Sequence, residues 1–355
     1  MLVKTITLKN FRNHFYLSYD FSSGLNLITG SNAAGKTNIV EAIYYLSLAR
    51  SFRGCDDEDL VLKGKDKAEI LAVVQEGELS RKIRIIITKD GRKVFLNNKP
   101  ITKLSELAKT VNVVLFEPKD VMLFRGSPKI RREFLDINLS KKSTPYFDYI
   151  SRYEKVLKER NELLKSDKID PILLETTTEL LVKLSGPIVS YRQMYLKDIN
   201  DILIKLTRAF TGESARVEII YKPFVEYNTD FETNAKEAFK KALESDFHRK
   251  ATSIGIHRED FSIALNGRDI ATFGSQGENR MLALALKLAP YFLIEDKEKR
   301  PIVVLDDVMS ELDQTHRQKL ITFLKKLEQV FITATRLEVS GAASYQIKKK
   351  TKEDF

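Results

Sequence analysis

The sequence has a single cysteine, no long apolar run and no internal repeat, and each absence narrows the class of protein. Cys55 alone cannot form an internal disulfide, and so low a cysteine content suits a reducing compartment. No apolar run approaches the roughly 20 residues that span a bilayer, and the residues around Lys4 and Lys9 lack the core of a signal peptide. We therefore expect a globular, cytoplasmic protein with no membrane partner.

Metal-ligand spacing and nucleic-acid recognition motifs are also missing. The four histidines have neither the spacing of metal ligands nor a neighbouring nucleophile, which argues against a metallohydrolase. The formal charge of +10 favours a polyanionic partner, most simply nucleic acid, although scattered surface lysines on a soluble protein would give the same total. Because no zinc finger or RNP motif is present, DNA binding would be sequence-neutral.

A phosphate-binding loop pattern, G-x-x-x-x-G-K-[ST], is present near the start of the chain. The predicted nucleotide-binding residues are Gly30, Ser31, Asn32, Ala33, Ala34, Gly35, Lys36, Thr37 and Asn38. Lys36 can reach the outer phosphates of ATP, and Thr37 can offer its hydroxyl to Mg²⁺. An apolar strand at 25–28 precedes the loop, and helical spacing at 39–48 follows it. The alternative is a chance Gly-rich turn.

A second, distant segment carries the acidic half of such a site. Residues 301–305 are apolar and end in Asp306 and Asp307. Strand alternation would send these two carboxylates in different directions. We predict Asp306 in the Mg²⁺ shell, through water, and Asp307 as the base or water-positioning group for attack on the γ-phosphate. A helix or turn cap is the alternative role for Asp307.

A third segment, at 273–278, leads into a helix and resembles the signature motif of ABC-type ATPases. Its key residues are Ser275, Gln276, Gly277 and Glu278. A serine, a glycine and a helix N-terminus can collect phosphate donors, yet the chain already has a loop for that purpose. In ABC-type ATPases this motif closes over the γ-phosphate held by the other subunit of a dimer. An ordinary Ser/Gly helix cap is the alternative.

The order of strand-rich and helical segments predicts an α/β fold. Strands dominate to about residue 117, helices dominate 119–249, and strands return from 255, where Asn266-Gly267 predicts a hairpin. We expect an ATPase head built from both chain ends, 1–118 and 250–355, with 119–249 as an inserted helical lobe or short arm. Its sheet should be largely parallel, with ligands at the carboxyl ends of the strands.

These motifs, together with several unusual strings, make the chain resemble the RecF family of bacterial recombination-mediator ATPases, which are related to the heads of SMC-type proteins. The resemblance spans essentially the whole chain. The supporting strings lie at 8–13, 30–38, 41–43, 51–53, 116–120, 131–136 and 257–260. The fold that it implies is an ABC-type P-loop head.

The resemblance also implies a function in DNA repair, DNA replication and the SOS response. It implies an ATP-dependent homodimer that binds dsDNA and ss/dsDNA junctions and that, with RecO and RecR, promotes RecA loading at gaps. ATP hydrolysis would be weak, DNA-stimulated and used for release. Asn13 and Arg12 are candidate nucleotide contacts, although Arg12 as an exposed loop residue could equally be solvated.

Three departures from the related ATPases qualify this picture. Glu278 stands where RecF-like proteins commonly have Gln, and Asp307 where ABC-type ATPases usually have Glu. Thr335 replaces the switch histidine of transporter-type ATPases and is a γ-phosphate sensor candidate. A Q-loop glutamine has no assigned counterpart, and 117–120 is the candidate position.

Two other functions share the nucleotide-binding motifs. A transport ATPase would need a membrane partner on another chain and normally a switch histidine, which Thr335 does not provide. A nuclease would join the head to a catalytic metal domain, for which we expect no room after the acidic strand. Both are disfavoured.

Overall fold

The structure, a computed structural model, describes residues 1–102, 106–107, 110–212 and 215–347. These residues form two compact units. Unit 1 is drawn from Met1–Asp120, Leu206–Glu213 and Leu284–Phe355, and unit 2 from Val121–Lys205 and Ser214–Ala283, in each case over the described residues.

The secondary structure of the described residues has strands mainly at both ends of the chain and long helices between them. The strands are β1 (Leu2–Phe11), β2 (His14–Asp20), β3 (Gly24–Gly30), β4 (Lys67–Glu76), β5 (Leu79–Thr88), β6 (Gly91–Leu96), β7 (Lys99–Ile101), β8 (Val113–Phe116), β9 (Val217–Lys222), β10 (Asp260–Leu265), β11 (Arg268–Asp269), β12 (Ile302–Leu305), β13 (Gln329–Ala334) and β14 (Ala343–Ile347). The helices are α1 (Lys36–Leu48), α2 (Met122–Arg125), α3 (Pro128–Lys142), α4 (Thr144–Lys165), α5 (Pro171–Thr211), α6 (Phe231–Arg249), α7 (Ile270–Phe273), α8 (Gln276–Phe292) and α9 (Gln314–Leu324). Among the described residues, no helix has both the length and the apolar character to cross a membrane.

A five-stranded parallel sheet organises unit 1. Its order is β14-β3-β13-β12-β8, and every neighbouring pair is parallel. Strands β8, β12 and β13 are buried along their whole length, as expected for a parallel sheet covered on both faces. Two of its strands come from the first part of the chain and three from the last. The prediction of a head built from both chain ends is therefore confirmed.

A six-stranded antiparallel sheet, which the sequence did not predict as a whole, completes unit 1. Its order is β2-β1-β4-β5-β6-β7. The side chains of Ile83, Ile85 and Ile87 are buried while Arg84 between them is exposed, so one face packs on the core and the other meets solvent. The core also includes α1, which is buried on most sides. This position holds the phosphate-binding loop against both sheets.

Unit 2 combines helices with the three-stranded sheet β11-β10-β9. The predicted hairpin is confirmed: β10 and β11 pair antiparallel, and the two turn residues between them, Asn266 and Gly267, have φ of 51° and 80°. Positive φ at both central positions defines the turn that favours Asn-Gly. Pro187, predicted as a kink, lies inside α5.

Buried ion pairs tie the part of unit 2 after residue 250 to its helices. Arg192 on α5 donates to Glu259 at 2.7 Å, and both side chains are almost completely buried. Arg131 on α3 donates to Asp260 at 2.6 Å. Buried charges require such partners, so these contacts hold Glu259 and Asp260 against the helices of unit 2. The sequence division placed 250–283 with the head; the bounds of the functional domains stay a prediction.

Candidate nucleotide-binding site

The predicted phosphate-binding loop connects β3 to α1, and both of its glycines occupy positions that exclude a side chain. Gly30 has φ of 156°, and a Cβ there would lie 2.5 Å from the carbonyl oxygen of Ile347. Gly35 has φ of 100°, and its Cβ would lie 2.5 Å from Nε2 of His14. The absence of a side chain at these glycines therefore permits both the positive φ values and the close approach of Ile347 and His14.

Lys36 lies over the loop that it is predicted to serve. Its Nζ donates to the carbonyl oxygens of Gly30 at 2.8 Å and Ser31 at 2.9 Å, and the residue is buried. Within the described residues no side chain caps the start of α1, and its first turn has no acidic residue. A cation and a helix N-terminus at one loop give an anion-binding arrangement.

The structure brings the two distant halves of the predicted site together at Asp306. Thr37 donates its hydroxyl to Oδ1 of Asp306 at 3.0 Å, and Thr333 donates to the same oxygen at 2.7 Å. Asp306 is only 7% exposed, and this burial raises the pKa of its carboxyl, while the two hydroxyl donors act in the opposite direction. The buried carboxyl group of Asp306 and the hydroxyl of Thr37 therefore lie together beside the phosphate-binding loop.

These oxygens fit Mg²⁺ bound to a nucleotide. Mg²⁺ prefers hard oxygen ligands and usually takes only one or two from the protein, keeping waters and substrate phosphates for the rest. Thr37 and Asp306 supply such oxygens. Among the described residues no group of three or more His, Cys, Asp or Glu could hold a metal ion.

Asp307 differs from its neighbour in burial and in backbone conformation. It is exposed and has φ of 51°, which is uncommon for a residue other than glycine. Its N–H donates to Oγ1 of Thr333 at 2.9 Å, and its Oδ1 accepts from Ser310 at 3.1 Å. An accessible carboxylate beside a buried one matches the geometry expected for a water-positioning group, a role that stays a prediction.

Thr333 is a residue of this site that the sequence reasoning missed. It is buried at the end of β13, and its hydroxyl contacts both adjacent aspartates. The sequence singles out Thr335 instead, which is exposed and donates to Asn32 of the loop at 3.2 Å. A threonine in the final residues of an apolar strand was the available signal.

The two candidate contacts before the loop have different partners. Asn13 accepts from Asn38 at 2.7 Å and so lies against the start of α1. Arg12 forms a bidentate pair with Glu41, with distances of 2.9 and 2.6 Å, and also donates to the carbonyl of Asp59. Glu41 is completely buried, and this buried acid was not among the predicted site residues. A phosphate contact by Arg12 stays a prediction.

The candidate Q-loop segment, 117–120, follows β8, the strand beside β12. Asp120 accepts from the backbone N–H of Glu117 and from Lys287, both at 2.9 Å. Burial raises the pKa of the Glu117 carboxyl, with Lys119 acting in the opposite direction. The segment is thus a fixed polar turn at the carboxyl edge of the parallel sheet.

The predicted signature residues lie in unit 2, at the start of α8, and all four are exposed. Ser275 and Glu278 form a reciprocal cap: the N–H of Ser275 donates to Oε2 of Glu278 at 2.8 Å, and the N–H of Glu278 donates to Oγ of Ser275 at 3.2 Å. A Cβ added at Gly277 would meet no atom within 4 Å. Ser275 and Glu278 therefore do cap this helix, as the alternative interpretation proposed. The outer face of the turn, at Gly277, is open.

The parallel sheet, the loop and the acidic strand end define a P-loop head of the ABC type. A model of the RecF/RecN/SMC N-terminal domain matches residues 2–354. DNA replication and repair protein RecF of Geobacillus thermodenitrificans is 34% identical over 98% of both chains, and that of Streptococcus pneumoniae is 38% identical over 95% of this chain and 93% of its own. The chain belongs to the RecF family.

Solved structures agree with this assignment. The recombination mediator protein RecF with ATP, of the RecFOR pathway, superposes with a TM-score of 0.88 at 32% identity, covering 97% of this chain and 95% of its own. The Smc head domain of Pyrococcus furiosus has a TM-score of 0.57 at 19% identity, covering 94% and 89%, and supports the fold alone. The predicted ABC-type fold is confirmed.

Proposed function

We propose that this chain is an ATP-dependent DNA-binding protein of recombinational repair. ATP binding drives two copies together around dsDNA or an ss/dsDNA junction, and weak, DNA-stimulated hydrolysis releases them. The observation that carries the nucleotide part is the 3.0 Å contact between Thr37 and Asp306, which unites the two distant halves of the site. The family's RecF members are DNA replication and repair proteins.

The residues around the loop have separate tasks in this proposal. Lys36 exchanges its two carbonyl partners for the outer phosphates of ATP, and the start of α1 directs its N–H groups at them. Thr37 and Asp306 hold the Mg²⁺ that, when bound, neutralises developing charge on the phosphates. Asp307 orients the attacking water and accepts its proton.

The signature residues act on the nucleotide of the second copy. Ser275 is exposed, and the outer side of Gly277 is open, so a partner surface can approach the backbone of this turn closely. A phosphate at a helix N-terminus gains from N–H donors and from the helix dipole. Each composite site would then need both copies, which makes dimerisation depend on ATP.

DNA contacts are assigned to the outer face of the antiparallel sheet. The cross-strand pairs Tyr16–Lys9, Lys9–Glu69, Glu69–Ile86 and Ile86–Lys93 form one continuous row on that face. Exposed Arg84 and Lys82 lie on the same face, and Phe95 is directly opposite Arg84. Glu69 in this row pairs with Lys9 and Arg84, so we assign the phosphate contacts to Lys82 and Lys93. The exposed ring of Tyr16 can stack on a base without reading sequence.

The proposed partners follow the pathway of the relative that binds ATP. That protein is a recombination mediator of the RecFOR pathway. We assign RecO and RecR as partners, RecA loading at gaps as the outcome, and the cytoplasm as the location.

The test is DNA binding and light scattering measured on the same samples with ATP, ADP and a non-hydrolysable analogue. We expect a dimer, and tighter DNA binding, with ATP and the analogue and neither with ADP. We call this ATP-driven closing of two copies around DNA the clamp. A protein that binds the analogue and stays monomeric would contradict the clamp.

A further inference from the structure

Glu278 occupies the helix end that the composite site offers to a phosphate. Its carboxylate accepts from the backbone N–H of Ser275 at 2.8 Å, and its own N–H is taken by Oγ of Ser275. The hydrogen bonds from Ser275 lower the pKa of this carboxyl, so it is anionic at neutral pH. One N–H donor of the turn, that of Ser275, is therefore satisfied by an anion of the same chain, and that of Glu278 by a hydroxyl.

The turn itself is held from the inside while its outer face is open. Asn279, completely buried, donates to the carbonyls of Gly274 at 3.0 Å and Ser275 at 2.9 Å, and Arg125 donates to Gly274 at 2.9 Å. A Cβ at Gly274 would lie 2.6 Å from the carbonyl oxygen of Ile270. The backbone is thus fixed, and the exposed side chain of Glu278 is the part that can turn away.

We propose that Glu278 is an internal anion that the partner's γ-phosphate must displace from the signature turn, so that it sets the nucleotide concentration at which two copies close. This inference rests on the proposed function, because it assumes that the turn meets a phosphate of the second copy. Glu278 acts here as a positioning residue: it competes for the N–H of Ser275 when the site is open and repels the phosphate when the site is closed.

The size of the effect follows from charge repulsion in water. Two unit charges about 4 Å apart in bulk water change an equilibrium about fivefold, and a symmetric dimer has two such sites, which gives about 25-fold in the overall constant. Because two nucleotides enter per dimer, the nucleotide concentration for half-dimerisation at fixed protein concentration should fall about fivefold when the charge is removed.

The test variant is Glu278→Gln, because Gln keeps an oxygen that can accept from Ser275 and so keeps the cap. Its matched control is Glu232→Gln, which removes a carboxylate from the first turn of α6, also in unit 2. Light scattering during titration with a non-hydrolysable ATP analogue gives the concentration for half-dimerisation. We expect about a fivefold decrease for Glu278→Gln and no change for Glu232→Gln. High salt should shrink the difference, because salt screens exposed charges.

The outcomes separate this inference from the clamp. If the parent dimerises with the analogue but Glu278→Gln needs as much nucleotide or more, the inference is wrong and the clamp stands. An equal shift in Glu232→Gln would mean a general charge effect and would also overturn it. A parent that binds the analogue and never dimerises would overturn both.

Discussion

Replacing Thr333 by valine tests how one buried hydroxyl organises the acidic end of the site. Valine keeps the shape of the side chain and removes its hydrogen bonds. The change takes away the 2.7 Å donor to Asp306 and the 2.9 Å acceptor of the Asp307 N–H, while leaving both carboxyl groups in the chain. Because Thr333 is only 1% exposed, water has little room to substitute at Asp306.

The two lost bonds give the expected destabilisation. A hydrogen bond to a charged group contributes about 1.5–3 kcal/mol, and leaving a buried N–H unpaired costs about 1–3 kcal/mol. Asp307 as a whole residue is exposed, so we apply the low end of that range to its N–H. We therefore expect Thr333→Val to lower the free energy of unfolding by about 3 kcal/mol.

The pH dependence has a definite sign. Burial already raises the pKa of Asp306 in the folded protein, and the hydrogen bond from Thr333 opposes that shift. A folded pKa above the unfolded one means that stability falls as pH rises through the range between them. Thr333→Val raises the folded pKa further, so its deficit should be larger at pH 7 than near pH 4, where the Asp carboxyl is partly protonated.

Urea unfolding followed by circular dichroism at both pH values measures this deficit, with Thr335→Val as the control. Thr335 loses one exposed hydrogen bond, to Asn32, and should change stability by less than about 0.5 kcal/mol. Binding of a fluorescent ATP analogue with Mg²⁺ should weaken in Thr333→Val, because Asp306 is less readily ionised. Equal stability of the two variants, or a larger deficit near pH 4 than at pH 7, would refute the reasoning.

Four further changes test the proposed clamp. Lys36→Met should lose nucleotide binding and dimerisation, both seen in an analogue titration. Ser275→Arg should bind ATP yet stay monomeric in light scattering, and normal dimerisation would refute the signature in trans. Asp307→Asn should prolong the ATP dimer, so faster DNA release would contradict its catalytic role. Lys82→Glu should weaken DNA binding for every sequence and reduce the salt slope by about 1, unlike Lys241→Glu on α6.

Local patterns in the sequence predicted the elements whose residues interact with near neighbours. The apolar segment before Gly30, the loop and the helix after it were found because strand, turn and helix each carry their own signal. The hairpin at Asn266-Gly267 was found for the same reason, since both residues adopt positive φ. Such features need no knowledge of the rest of the chain.

Elements that depend on distant partners were missed. Strand β9 lies within a region that reads as helical, and it is stabilised by pairing with β10, far along the chain. Glu41 lies in a string that supports the resemblance but had no assigned role in the site, and it is completely buried where Arg12 from another segment pairs with it. Propensity and periodicity are weak where tertiary partners decide the structure.

The register of the parallel sheet explains why the candidate site could be predicted in outline and not in detail. Parallel strands must end at one edge, so the carboxyl ends of β3 and β12 were expected to meet. Leu305 on β12 pairs with Ile332 on β13, which places the next residues, Asp306 and Thr333, side by side. The sequence fixes neither this register nor the direction of the hydroxyl. A shift of one residue would point Thr333 to the opposite face and leave Asp306 buried without its shorter hydrogen bond, so the alignment of β12 with β13 is itself part of the site.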